Sequence, residues 1–282
     1  MSQISLTASM RSNLLSLQNT ASLMSQTQER LASGKKVNSA IDNPSAYYTA
    51  QSLNNRASDL SGLLDSMGQA ISTIKAADEG IEAITNFVEQ AKAVATSALD
   101  TTDKASRGKY QTQFNAILSE IDKLAKDSGY KGINLLQGGS LEVTFNEGRD
   151  NKLTITGVNA GKAGLSLTDA SAWATAAGNV STADEITAQN GAINAAITAA
   201  NNAINTLRGY SSDFGNSYSI VQTREEFTTN LINVLEEGAD KLTLADMNEE
   251  SANMLALQTR QQLAINSLSL ASQAAQSVLK LF

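Results

Sequence analysis

The chain opens and closes on the same apolar rhythm. Met10, Leu14, Leu17, Ala21, Met24, Gln28 and Leu31 are spaced 4, 3, 4, 3, 4, 3, and six of the seven are apolar. Near the other end Met254, Leu257, Gln261, Ala264, Leu268, Ala271, Ala275, Val278 and Phe282 step 3, 4, 3, 4, 3, 4, 3, 4, with eight of nine apolar. Alternating steps of three and four put these side chains on one stripe of a helix, so each end predicts a coiled-coil seam. Gln28 and Gln261 each interrupt one seam; a polar residue there fixes register at the expense of stability.

Between the ends the pattern predicts longer amphipathic helices. Leu60, Leu64, Met67, Ile71, Ile74, Ala77, Ile81, Ile84, Val88, Ala91, Ala95 and Ala98 form one run, with a slip at Ala77 where two three-residue steps adjoin. Tyr110, Phe114, Ile117, Ile121 and Leu124 form a second, and Ile193 through Leu235 a third. After Gly129 the period changes to two: Leu141, Val143 and Phe145 face Leu153 and Ile155 across the turn-rich NEGRDN, a predicted β-hairpin at about 141–156. Residues 157–183 are small and polar without a helical period, and hold the sole tryptophan, Trp173. They are expected to form a loop and the exposed tip.

Charge changes the meaning of the end seams. Residues 1–28 carry only Arg11, and residues 251–279 only Arg260. A helix on a soluble monomer normally shows a charged outer face; these show Ser, Thr, Asn, Gln and Ala, which cost far less to bury than charges. Both ends are therefore expected to be packed on several sides in an assembly. Two such helices are marginal alone in water, and closing a loop of about 240 residues costs on the order of 5 kcal/mol, so the expectation is ends that order only on assembly.

Composition removes most chemistry. The 282 residues contain no His, no Cys and a single Pro, Pro44, with 28 acidic and 21 basic residues and a net charge of -7. Ser-His-Asp and Cys-His catalysis, the usual zinc sites, haem and disulfides are excluded, no cofactor is expected, and the acidic balance argues against nucleic acid. Glu236-Glu237 and Glu249-Glu250 read as solvated helix faces, and Asp42 and Asp78-Glu79 as residues capping or flanking helices. The N-terminus has no signal-peptide core, and no stretch approaches the roughly 18 apolar residues of a membrane span. A membrane-surface role would want Lys and Arg beside the apolar faces, which residues 1–28 lack.

Several phrases carry a family resemblance. SLTASMRSNLLSLQNT, ERLASGKKVNSAIDNPSAYYTAQSLNNRASDLS and GQAISTIKAADEGI on one side, GYKGINLLQGG before the hairpin, and DMNEESANMLALQTRQQLAINSLSLASQAAQSVLKLF at the other end resemble bacterial flagellin, the flagellar filament subunit. The resemblance covers nearly the whole chain. It implies a mainly α fold: long antiparallel coiled-coil helices from both ends, a helical bundle with a β-hairpin in a middle layer, and a minimal outer domain. Residues 1–44 with 239–282 would form the inner-tube domain, 45–167 with 184–238 the outer-tube domain, and 168–183 a short variable surface loop. Residues 31–50, with Gly34 and Pro44, would connect the layers, and Pro44 turns Asn43 away from helix.

The resemblance also implies partners. The chain would polymerise with other flagellin subunits through the end seams, and meet a flagellar export chaperone, cap and hook-junction proteins. It would be exported unfolded through the flagellar type III channel, and so be extracellular without a cleaved signal peptide. A hook-filament junction protein is the alternative, with similar ends. The innate-receptor segment aligns with Glu89, Gln90, Ala91, Lys92 and Val94, where Gln90 and Lys92 replace two arginines. Losing the planar guanidinium removes bidentate bonding, so weak or no Toll-like receptor recognition is expected. Ser and Thr of 166–182 are candidates for O-linked sugars, and Asn179-Val180-Ser181 matches an N-glycosylation pattern by chance.

Overall fold

A computed structural model describes residues 8–174 and 183–281. Five helices and one hairpin are formed, with the order α1 (Ala8–Ser33), α2 (Pro44–Leu99), α3 (Lys104–Asp127), β1 (Ser140–Thr144), β2 (Lys152–Thr156), α4 (Ala183–Thr243) and α5 (Met247–Leu281). No helix among the described residues is long and apolar enough to cross a membrane. The chain divides into two compact units, one drawn from residues up to Ala57 and from Asn233 onward, the other Ser58–Ile232. The division falls inside α2 and α4. Both helices continue through it.

Local chemistry sets where the helices start. Asn43 Oδ1 accepts the Ala46 N–H at 3.1 Å, and Pro44 follows at the first helical position, where its missing N–H is not needed. Asp103 caps α3 by accepting from Ser106 N at 2.8 Å. Asp42 does not cap a helix. Its carboxylate accepts the Asn38 and Ser39 N–H groups, both at 3.0 Å, and closes the turn before α2. The backbone donors of Ser39 and then Asn38 hold it below the usual carboxylate range. Asp78 and Glu79 lie in mid-α2, not at an end, and Asp78 accepts the Ser211 hydroxyl at 2.8 Å. The slip at Ala77 does not interrupt that helix.

The mid-chain unit has one continuous core. Met67, Ile74, Ile84 and Val88 of α2, Phe114, Leu118 and Ile121 of α3, and Ile193, Leu207 and Phe214 of α4 are all buried in it. Gly80 lets α3 end close against α2, since a Cβ there would stand 2.7 Å from Leu136 Cδ1 and from Ser128 Cβ. The hairpin pairs Leu141 with Ile155 and Val143 with Leu153 in antiparallel register, and its inward Leu141, Val143 and Ile155 join the same core. Lys152 and Glu142 pair across its outer face at 2.7 Å.

The stretch after the hairpin corrects the expected tip. Trp173 is buried, with 1% of its surface exposed, and its ring lies 4.9 Å from that of Phe114. Asn115 fastens the strand-like backbone to α3: its side chain accepts from Ala170 N at 2.7 Å and donates to Ala170 O at 2.9 Å. Leu165, Leu167, Ala170 and Trp173 then point inward. Spacings of two and three carry no helical or strand period, so the sequence hides an anchored segment. Residues 175–182, including Asn179-Val180-Ser181, lie outside the described residues.

Candidate functional site

The chain-end unit is built on α1 and α5, which pack along one another. Arg30 near the end of α1 bonds Glu250 in the first turn of α5 at 2.9 Å, and Lys35 bridges Leu244. The two helices therefore run antiparallel. Glu250 corrects the reading of Glu249-Glu250 as a wholly solvated face: its side chain is 9% exposed, although its partner Arg30 keeps a third of its side chain in water. Between the helices Gly34 adopts φ 71°, a conformation open to glycine, and its carbonyl accepts from Ala245 N at 3.0 Å. The same connector pairs Lys36 N with Thr243 O at 2.7 Å.

On α5 the inward line is the one the sequence predicts. Met254, Leu257, Gln261, Ala264, Leu268 and Ala271 are half-buried while their neighbours are exposed. The side chains of Ala275 and Val278, and Phe282 as a whole, lie outside the described residues. On α1 half of the predicted line is displaced. Met10 is buried and Leu17, Met24 and Leu31 are half-buried, as expected, but Leu14, Ala21 and Gln28 are exposed. Asn13, Thr20 and Thr27, one residue earlier each time, take the inward places, with Thr20 and Thr27 at 3% and 6% exposure. Apolar character selected Leu14 and Ala21 from the sequence. The helix instead turns a polar line inward, and Thr20 satisfies its hydroxyl on Ser16 O at 2.8 Å.

The outward faces are the informative ones. Leu15, Leu23, Leu255, Leu263, Ile265 and Leu270 are each about half exposed or more, and Leu14 is 38% exposed. Around them stand hydroxyls that bond their own helix: Ser251 to Met247 O at 2.6 Å and Thr259 to Leu255 O at 2.9 Å. Apolar side chains and self-satisfied hydroxyls make a face that loses little when another protein surface covers it.

The segment aligned with an innate-receptor site is a separate place, on α2. Glu89 and Gln90 are exposed, Lys92 and Val94 half-buried, and Ala91 is buried in the core. Glu89 and Lys92 line one side of a groove of about 700 Å³, with Asn201 and Arg208 of α4 on the other. Among the described residues there is no cluster of three or more acidic side chains that would hold a metal ion.

Comparison with known proteins agrees with this layout. Residues 4–140 match the bacterial flagellin N-terminal helical region, and residues 195–282 the bacterial flagellin C-terminal helical region. Flagellin FljM of Caulobacter vibrioides is 31% identical over 274 residues, covering 95% of this chain and 95% of that protein. Flagellin FljK of the same organism is 30% identical over 271 residues, covering 95% and 94%. A flagellin of Brucella melitensis is 28% identical over 274 residues, again covering 95% of each chain. With both helical ends matched and relatives alike from end to end, the chain belongs to the bacterial flagellin family.

Proposed function

We propose that this chain is a subunit that polymerises into the flagellar filament for swimming motility, exported unfolded and added at the distal tip. The observation that carries the reading is the outward apolar face of both end helices, in segments that hold only Arg11 and Arg260 as charges. Covering each exposed leucine or isoleucine by a neighbouring subunit would contribute on the order of 1 to 2 kcal/mol. Residues 1–44 with 239–282 would serve the inner tube and 45–167 with 184–238 the outer tube. The role is structural rather than catalytic. Export chaperone, cap and hook-junction proteins are the expected partners. Gln90 and Lys92, in place of two guanidinium groups, favour weak Toll-like receptor recognition.

Seeded polymerisation viewed by negative-stain electron microscopy tests this. The full chain is expected to grow uniform tubes, whereas a chain lacking residues 1–30 and 254–282 stays monomeric. Leu15→Ser with Leu263→Ser should fail in the same way with the mid-chain unit intact. Growth that arrests at a ring would favour the hook-filament junction role, and tubes from the truncated chain would remove the end helices from assembly.

A further inference from the structure

The methionines are unevenly placed. Of the six, Met10, Met24, Met247 and Met254 lie on α1 and α5, Met67 lies on α2, and Met1 is outside the described residues. Met67 is sealed in the mid-chain core. Met24 and Met254 are half-buried on the inward lines of the end pair, and Met247, one heptad before Met254, is 45% exposed. The Arg30–Glu250 pair sets the level of the two seam residues. Met24 lies six residues before Arg30, and Met254 four residues after Glu250. At about 1.5 Å per residue the two positions differ by about 3 Å along the antiparallel axes, less than one turn.

Two thioethers at one level of one seam matter because the chain offers an oxidant little else. It has no cysteine, and its tryptophan is buried. A peroxide attacks a half-buried thioether directly. The sulfur lone pair takes one peroxide oxygen, the O–O bond breaks, and the leaving hydroxide gains a proton to become water. Sulfur is oxidised by two electrons and the peroxide is reduced by two. The product is polar and chiral where the thioether was apolar and pliable, and such a change disrupts apolar interfaces.

We propose that Met24 and Met254 form an oxidation site in the α1–α5 seam, where a peroxide converts their thioethers to sulfoxides and thereby holds the monomer out of the polymer. The inference rests on the polymer reading above and adds a modification that turns assembly off. Enzymatic reduction of both sulfoxide epimers returns the thioether, so the switch is reversible. The mid-chain unit stays outside it, because Met67 is fully buried.

The test treats the full-chain monomer with hydrogen peroxide, maps it by peptide mass and then seeds polymerisation. One added oxygen is expected at each of Met24 and Met254 and none at Met67. The critical concentration for polymerisation should rise about tenfold or more, equal to roughly 1.4 kcal/mol or more. Methionine sulfoxide reductases A and B should bring it back. Met24→Leu with Met254→Leu, a swap that nearly conserves volume, should polymerise alike before and after peroxide, which separates these two residues from Met10 and Met247. Unchanged polymerisation with both sites oxidised would overturn the proposal and leave the filament reading standing. So would a leucine variant as sensitive as the unsubstituted chain, or no oxygen at either site. Failure of the untreated chain to polymerise would overturn both readings.

Discussion

Arg107 carries its charge into the mid-chain unit, and the partners described for it are neutral oxygens. It is fully buried, and its partners are Thr101 O at 2.6 Å, Gln189 Oε1 at 2.8 Å and Asn190 Oδ1 at 2.6 Å. Burial pushes the guanidinium below its ordinary value, yet it stays charged. The planar fork lets one side chain tie the loop before α3 to the start of α4, two places far apart in sequence. Arg107→Lys keeps the buried charge and loses most of these bonds; it should destabilise the unit by about 1 to 3 kcal/mol. Arg107→Met removes the charge along with its desolvation and should lose less. Urea unfolding followed by the fluorescence of Trp173, the only tryptophan, reads the order. A lysine variant more stable than the methionine one would refute this account of the buried charge. Nothing in the sequence distinguishes this arginine from a surface one, because its position follows the inward line of α3 only once the helix phase is known.

At the scale of the element, α1 shows how far periodicity reaches and where it stops. The rows Met10–Leu17–Met24–Leu31 and Met254 to Ala271 were legible because both a helical period and apolar character point to them. The second row of α1 was not, since steps of 4, 3 and of 3, 4 share every other residue and differ only in which neighbour fills the gap. There Asn13, Thr20 and Thr27 face inward, and Leu14, Ala21 and Gln28 were left outside. If Thr20 is inward in the free pair, Thr20→Val should strengthen α1 against α5 by a few tenths to about 1 kcal/mol, because its hydroxyl now bonds only its own helix. Slower amide exchange along both helices would show it; faster exchange would mean that the hydroxyl has a partner across the seam. The hairpin was legible, since alternation sets which side chains share a face; its register, Leu141 with Ile155 and Val143 with Leu153, came from the structure. The anchored stretch ending at Trp173 was not, because Asn115 supplies from another element the backbone partners that a strand would have supplied.

For the whole molecule, the two compact units differ in how much they bury. Buried apolar side chains of the chain-end unit are few: Met10, Val37, Ala50, Ala57, Leu235 and Ala239 among the described residues, most of them small. The mid-chain unit holds an extended core from α2 to α4. In the dilute monomer, amides of α1 and α5 should exchange clearly faster than those of α2 near Ile84 and α3 near Leu118, and polymerisation should close the gap. Protected end helices in the monomer would instead mean that the pair is self-sufficient. Composition was legible early in one respect: without His or Cys, the chemistries that need them are excluded. The exposure of Ile41 was not legible, since it looks ordinary in sequence and stands out only once its turn is seen.

The helix faces also share the habit of answering their own hydroxyls. Ser66, Ser72, Thr96, Ser97, Thr112, Thr198, Thr206, Thr223 and Thr229 each bond the carbonyl four residues back, as Thr259 does near the chain end. A hydroxyl so engaged offers its donor to no neighbour. Two such faces pressed together would meet over a surface with low corrugation, where a small axial slip breaks few directional bonds. Load along a stack of these helices would then be taken up by gliding at low friction.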